Sequence, residues 1–351
     1  MATQRSPLVM NAGKLQQLQA ADSLLLPPFD FRNRLTNGSF VHWQRGESRT
    51  FDFGTGTVGY TADRWATQYN GTGATRTLAR IDIDADIPPS NYGSAVRIHQ
   101  SVAPTGQTTN RFFQRIEYVT TLSGKDVCFS FWAKAAVAHD ITVVMAQVFG
   151  TGGSPHAEVD YGPTTISLTT GWVRYSVTFT LATTFNLTQG SNGDSYLLLQ
   201  MTFPVNTTHD TYITGCQLEE GQAPSELERL PSAINSFMCL RYYNTTYGFT
   251  GKLPGDVAQI AYINHRMNQF TSLANRIATL QWKFPVPMRA TPSITTYSNA
   301  TGASGKIRIT GVDYTSSVDE VDRHGVVISG TDTATESDWN GVVHIVADAE
   351  L

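Results

Sequence analysis

Three aspartates in the run IDIDADIPP, Asp82, Asp84 and Asp86, stand two residues apart beside Ile81 and Ile83. That spacing puts their carboxylates on one face of a strand. Crowded carboxylates can hold calcium or raise one pKa for acid–base work. They also make an ordinary solvated strand face with the isoleucines turned inward, and this plainer reading is preferred. Gly54 to Gly59, GTGTVG, matches GxGxxG. A dinucleotide fingerprint needs a helix opening at its third glycine, and YTADRWATQY follows without a helical period, so a turn is expected. GxSxG, HExxH and P-loop motifs are absent, and the histidines are scattered without ligand spacing. No catalytic residue, metal site or cofactor is expected, and the chain reads as a non-enzyme.

Binding chemistry is better represented. Six tryptophans are present, at 43, 65, 132, 172, 282 and 339, and aromatic faces suit the C–H faces of sugars. Trp132 sits inside CFSFWAK and Trp172 leads from a turn into a strand, which points to core packing for most of them. Exposed contact with a carbohydrate or receptor falls rather to Tyr69 and Asn70, beside NGTGAT, and to His156 and Tyr161, in GTGGSPHAEVDYG. Loops on a rigid scaffold commonly carry function.

The elements that must position such residues are strands. RFFQRIEYVTTL, DVCFSFWAKAA, ITVVMAQVFG, WVRYSVTFTL and SYLLLQMTF are rich in Val, Ile, Thr and aromatics, with turns such as SGKD and GSNGDS between them. In WVRYSVTFTL, Val173, Tyr175, Val177 and Phe179 alternate with polar residues, giving one buried face. Many strands with almost no helix predict a two-sheet jelly-roll sandwich over residues 31–230. The texture breaks at PSAINSFMCLRYYN, where Ile234, Phe237, Met238 and Arg241 follow Ser232, a candidate N-cap, at helical spacing. A helical joint and a smaller β domain over 231–351 are expected, with Val343, Ile345 and Ala347 facing its core. Residues 1–30 read as an extended arm with a short, helix-compatible stretch around Leu15 and Leu18. The arm is too short to fold alone, and it either orders against a partner or stays a disordered tail.

Composition narrows the function classes. With 25 basic and 29 acidic residues the net charge is −4, and no basic stripe offers a footprint for nucleic acid. No run approaches the ~18 apolar residues of a membrane span, and the opening MATQRSPLVMNAG lacks the apolar core of a signal peptide. A soluble protein made in a cytoplasm is expected. Cys128, Cys216 and Cys239 stand among apolar neighbours without a CxxC pair, so buried, reduced thiols are expected.

Several segments then line up in one order. NRLTNGSFVHWQRG and GYTADRW come first, then LSGKDVCFSFWAKA, TTGWVRYSVTFTL, GCQLEEGQAPSELERLP, FMCLRYYN and FPVPMRATPSIT. Together they resemble the carbohydrate-binding-module-like jelly roll of bacteriophage tail fibre and virion appendage proteins, over most of residues 33–295. In that light TNGSFVHWQRG marks a fold more than a ligand site, with Asn37-Gly38 as a turn and Phe40 and Trp43 as sandwich aromatics. The resemblance implies a virion protein, made in the host cytoplasm, that attaches to host-surface glycan. It also implies a homotrimer, and the arm is expected to dock on other virion proteins. Related modules often hold calcium near the opening turn and closing strand. Here Val41 stands where an acidic residue is frequent, and Ile213-Thr214-Gly215-Cys216 lacks the usual Asp. A non-binding structural adaptor or decoration protein is the alternative, and a polysaccharide-degrading enzyme ranks below it.

Overall fold

A computed structural model of the chain describes residues 8–11, 14–17, 31–52, 55–83, 93–249, 252–257, 263–268, 276–332 and 338–351. The arm contributes a hairpin, β1 (Leu8–Asn11) paired antiparallel with β2 (Lys14–Gln17). Leu15 therefore lies in a strand and not in the helical stretch expected there, while Leu18 lies outside the described residues. An isolated helix this short is marginal in water, whereas a hairpin satisfies its backbone groups pairwise.

The sandwich is built from β3 (Ser48–Phe51), β4 (Thr55–Tyr60), β5 (Ala66–Asn70), β6 (Thr75–Asp82), β7 (Ser94–Val102) and β8 (Asn110–Glu117). It continues with β9 (Asp126–Ala135), β10 (His139–Val148), β11 (Val159–Leu168), β12 (Val173–Thr180), β13 (Tyr196–Thr202) and β14 (His209–Glu220). They form two six-stranded antiparallel sheets, in the orders β11-β10-β13-β8-β5-β4 and β12-β9-β14-β7-β6-β3. Alternate residues turn inward from both: Phe112, Ile141, Val143, Met145, Leu197 and Leu199 from the first, and Leu78, Ile98, Phe129, Phe131, Ile213 and Leu218 from the second. The all-β sandwich read from the sequence is the fold observed. GTGTVG departs from expectation. Its residues from Thr55 on are the edge strand β4, not a turn, and Gly56 takes φ +75° where the register with β5 slips between Thr55 and Val58. A glycine at a bulge supplies the positive φ that lets an edge strand bend.

The opening segment locks the two sheets together. Asn37 has φ 56°, and its Oδ1 accepts from the backbone N–H of Val41 and His42 at 3.0 and 3.1 Å. Its Nδ2 donates to the carbonyls of His42 and Asp63 at 2.9 and 3.1 Å. The turn so built drives Phe40 into the core, 5.2 Å from Trp65, which stacks on Phe112 at 5.0 Å. Phe40 and Trp43 are both buried, as are all three cysteines, which are free.

Beyond β14 the chain forms α1 (Ser232–Leu240), capped by Pro231 with no side-chain hydrogen bond. Ser232 is the first helical residue and not the N-cap. Cys239 is the residue α1 buries, while Phe237 stays exposed. Then come β15 (Tyr243–Thr245), β16 (Ile263–Asn268), β17 (Arg276–Lys283), β18 (Ser293–Tyr297), β19 (Lys306–Ile309), β20 (Val312–Val321), β21 (Gly325–Asp332) and β22 (Asp338–Asp348). Their sheet runs β15-β22-β19-β20-β21-β17, with β16 and β18 also paired to β22. Val343, Ile345 and Ala347 of β22 enter a second core with Leu280, Ile307, Ile309 and Ile328.

A buried polar seam joins the two cores. Arg45 reaches Asp348 at 3.3 Å and Glu350 at 3.4 Å, and its guanidinium lies 3.5 Å from the Tyr243 ring centre. Arg64 pairs with Glu350 and lies 3.3 Å from the ring centre of Tyr242. Gln44 ties Asp63 (3.1 Å) to the carbonyl of Tyr243 (2.8 Å). Burial pushes the Asp63 carboxyl up to about 6, against the pull of Arg45.

Candidate functional site

The sheet β11-β10-β13-β8-β5-β4 has an outward face with its own apolar floor of Phe113, Leu198, Ala66 and Ala146. The pleat explains it: Phe112 points into the core, so Phe113 points out. Phe113 is nonetheless 1% exposed, because the guanidinia of Arg111 and Arg115 roof its ring, each 5.3 Å from its centre. Arg111, Phe113 and Arg115 stand two apart on β8 and share this face.

Cross-strand pairing supplies the polar partners. Gln68 of β5 lies opposite Arg111, and its Oε1 accepts from Arg111 Nε at 2.7 Å. Gln200 of β13 accepts from Arg111 Nη1 at 2.8 Å. Tyr196 lies half-buried one strand over, 5.0 Å from Arg115. Burial, and then the charge of Arg115, makes the Arg111 guanidinium less basic than usual. Glu158 and Asp160 border the face from the β11 side, and burial followed by Asp160 raises the Glu158 carboxyl. The result is a fixed row of amide, guanidinium and amide over an aromatic floor, with Gln68 also donating to the Gly56 carbonyl and Gln200 to the Thr202 hydroxyl at 3.0 Å.

The residues named from the sequence do not converge on this face. Tyr69 is fully buried on the core side of β5, with its hydroxyl bonded to the carbonyl of Phe51, which corrects its expected exposure. It has the inward parity of the strand, which a loop reading overlooks. Asn70 is half-buried, its Oδ1 accepting from the N–H of Thr108 and Thr109 at 2.8 Å each, so it holds a turn. Tyr161 packs against the core and donates to Gln147 Oε1 at 2.6 Å. His156 is exposed, 4.9 Å from Phe149, on the opposite side of the sheet from Asn70. Gln68, Arg111, Phe113, Tyr196 and Gln200 were missed. The signal available was the period-two run Arg111, Phe113, Arg115 in RFFQRIE.

The other motifs take simple roles. Asp82 is exposed beside Arg80 at 3.5 Å, while Asp84 and Asp86 lie outside the described residues. Among the described residues no group of three His, Cys, Asp or Glu is arranged to hold a metal ion. The carbonyls of the opening turn and of β14 beside it accept protein donors, Asn37 from Trp65 Nε1 at 3.2 Å, Ser39 from Ser94 Oγ at 3.1 Å and Cys216 from Asn33 Nδ2 at 3.2 Å. Glu228, the acid nearby, accepts from the N–H groups of Phe31 and Asn33 at 2.6 and 2.8 Å.

No protein-family model matches the chain, and no curated protein matches it. Among solved structures, a CBM4 carbohydrate-binding module is similar over 53% of this chain and 98% of its own, at 16% identity and TM-score 0.31. A family 11 carbohydrate-binding module from Clostridium thermocellum, solved with a beta-1,3-1,4-mixed-linked tetrasaccharide, is similar over 51% of this chain and 98% of its own, at 14% identity and TM-score 0.30. The enzymatically active domain of bacteriophage CBA120 tailspike protein 4 is similar over 56% of this chain and 22% of its own, at 14% identity and TM-score 0.33.

Proposed function

We propose that this protein is a phage virion appendage, a tail fibre or receptor-binding protein, that attaches to host-surface glycan through the outward face of β11-β10-β13-β8-β5-β4. The observation that carries the reading is the row Gln68, Arg111, Gln200 held over Phe113 and beside Tyr196. Vicinal sugar hydroxyls pair with planar amide and guanidinium groups, and a sugar's apolar side packs on an aromatic edge, here that of half-buried Tyr196 since Phe113 is covered. The ordered motifs from Asn33 to the Pro-Met-Arg run support the virion setting. In this reading residues 1–30 attach to other virion proteins and the chain assembles as a homotrimer. A monomer at micromolar concentration in sedimentation would count against the trimer.

A glycan array probed with the full chain and with Arg111→Ala tests the site. The parent is expected to retain a defined glycan class, and the variant to lose at least about tenfold in affinity, as expected for a charge-assisted contact. Undiminished binding by a folded Arg111→Ala chain would remove the face from consideration. The adaptor reading has one observation of its own: Tyr60 and Arg115 also bond the carbonyl of Leu351, so the same sheet serves as a seat for the C-terminal segment. An array with no retained glycan favours it.

A further inference from the structure

A second cleft, of about 420 Å³, opens between the first strand of the sandwich and the outer face of the C-terminal sheet. Its floor follows from strand register. Asp348 of β22 stands between Tyr243 of β15 and Ser293 of β18, Val346 stands opposite Thr295, and His344 opposite Tyr297. Residues two apart share a face, so Ser293, Thr295 and Tyr297 line the cleft together. Arg45 and Arg49 form its sandwich wall, and Leu253 with Pro254 its apolar rim.

The charges in this cleft are unequal. Arg45 is matched by Asp348 and Glu350. Arg49 has no carboxylate partner among the described residues. Its contacts are the Tyr60 carbonyl at a long 3.4 Å and the Phe51 ring, 4.8 Å from its centre. The guanidinium thus keeps its fork of donors for an incoming oxyanion. The hydroxyls of Tyr243, Tyr297 and Thr295 likewise have no hydrogen-bond partner among the described residues. Tyr243 is buried as a residue, 3% exposed, and lines the cleft from β15. Tyr297 is half-buried, and part of its ring is free for stacking.

We propose that this interdomain cleft is a second saccharide site, selective for a sugar bearing a carboxylate. Arg49 takes the carboxylate, the three free hydroxyls meet the sugar hydroxyls, and the Tyr297 ring packs on the sugar. The volume falls within the ~300–1,000 Å³ of small-ligand pockets, which favour domain interfaces. The proposal is independent of the outward sandwich face.

Calorimetric titration of the full chain with D-glucuronate tests it, with D-glucose and inorganic phosphate as separate titrants. Glucuronate is expected to bind more tightly than either. Arg49→Gln should weaken it at least about tenfold, and Tyr297→Phe about fivefold. Arg49 is exposed, so its variant should match the parent in a thermal melt. Glucose binding as tightly as glucuronate would remove the role of charge, and phosphate binding as tightly would remove the sugar. Undiminished glucuronate binding by Arg49→Gln overturns the site. Loss with Arg111→Ala but not Arg49→Gln would place the ligand on the sandwich face, ending this proposal and leaving the proposed function intact.

Discussion

Arg76 is sealed in the sandwich core without a carboxylate among its described neighbours. Its Nη1 donates to Thr67 Oγ1 at 2.6 Å, its Nη2 lies 3.3 Å from His209 Nε2, and its Nε has no partner among the described residues. The rings of Tyr69 and Phe203 lie 5.1 and 5.7 Å from the guanidinium. Burial drives its pKa down to about 9. Charges buried without good compensation cost stability, so Arg76→Met is expected to leave the melting temperature unchanged or raise it. A marked fall on calorimetry would show that the Thr67 and aromatic contacts outweigh desolvation. His209 faces the same cation. Arg76 Nη2 and Asn110 Nδ2 both donate to its Nε2, so that nitrogen carries no proton. Burial, and then the charge of Arg76, holds its pKa down to about 2 against an ordinary 6.5. The unfolded chain therefore takes this proton first, and stability is full above about pH 6.5 and falls as pH drops toward 2. Between pH 6.5 and 4.5 the loss from this one histidine is about 2–3 kcal/mol. Urea midpoints at the two pH values should differ less in His209→Gln than in the parent. Because the two chains are compared, the opposite contribution of Asp63, whose raised pKa favours the folded state as pH falls below about 6, cancels.

At the scale of elements, the opening turn is held by one close approach. A Cβ on Gly38 would stand 2.1 Å from the carbonyl oxygen of Cys216, so β14 and the turn could not both keep their places. Gly38→Ala is expected to cost about 2–4 kcal/mol in chemical denaturation; a loss below about 0.5 kcal/mol would mean that the turn moves freely. This element was legible in advance, because Asn-Gly before alternating aromatics carries its own turn chemistry. Strand parity was readable in the second half of WVRYSVTFTL, where Val177 and Phe179 are buried, whereas Tyr175 is half-buried and Val173, at the start of β12, is 38% exposed and not on a buried face as expected. Helix α1 was readable in position but not in orientation. Its packing buries Cys239 within reach of Asp63, Arg64 and Glu350 and leaves Phe237 outside, and only tertiary contacts decide that. The candidate site was half legible. Arg111, Phe113 and Arg115 carry a period-two signal, but Gln68 and Gln200 join them from β5 and β13, 43 and 89 residues away from Arg111.

At the scale of the whole molecule, the seam between the cores rests on Glu350. It meets Arg45 and Arg64, both fully enclosed, and replacing it leaves buried guanidinia short of a carboxylate. Glu350→Ala is expected to destabilise the chain by about 3 kcal/mol. Calorimetry should then show the C-terminal domain melting earlier and separately from the sandwich. A single transition at the parent temperature would mean that Asp63, 4.0 Å from Arg45, and Asp348 suffice for Arg45, and that the Arg115 carbonyl, which accepts from Arg64 Nη2, suffices for Arg64. By itself the sequence determined the all-β class, the buried thiols and the opening turn, because each depends on residues a few positions apart. The tertiary structure alone decided which outward face gathers Gln68, Arg111 and Gln200, which arginines are matched across the seam, and where the interdomain cleft opens. Those features are meetings of distant segments, and their energetics depend on register and burial, which no local spacing encodes.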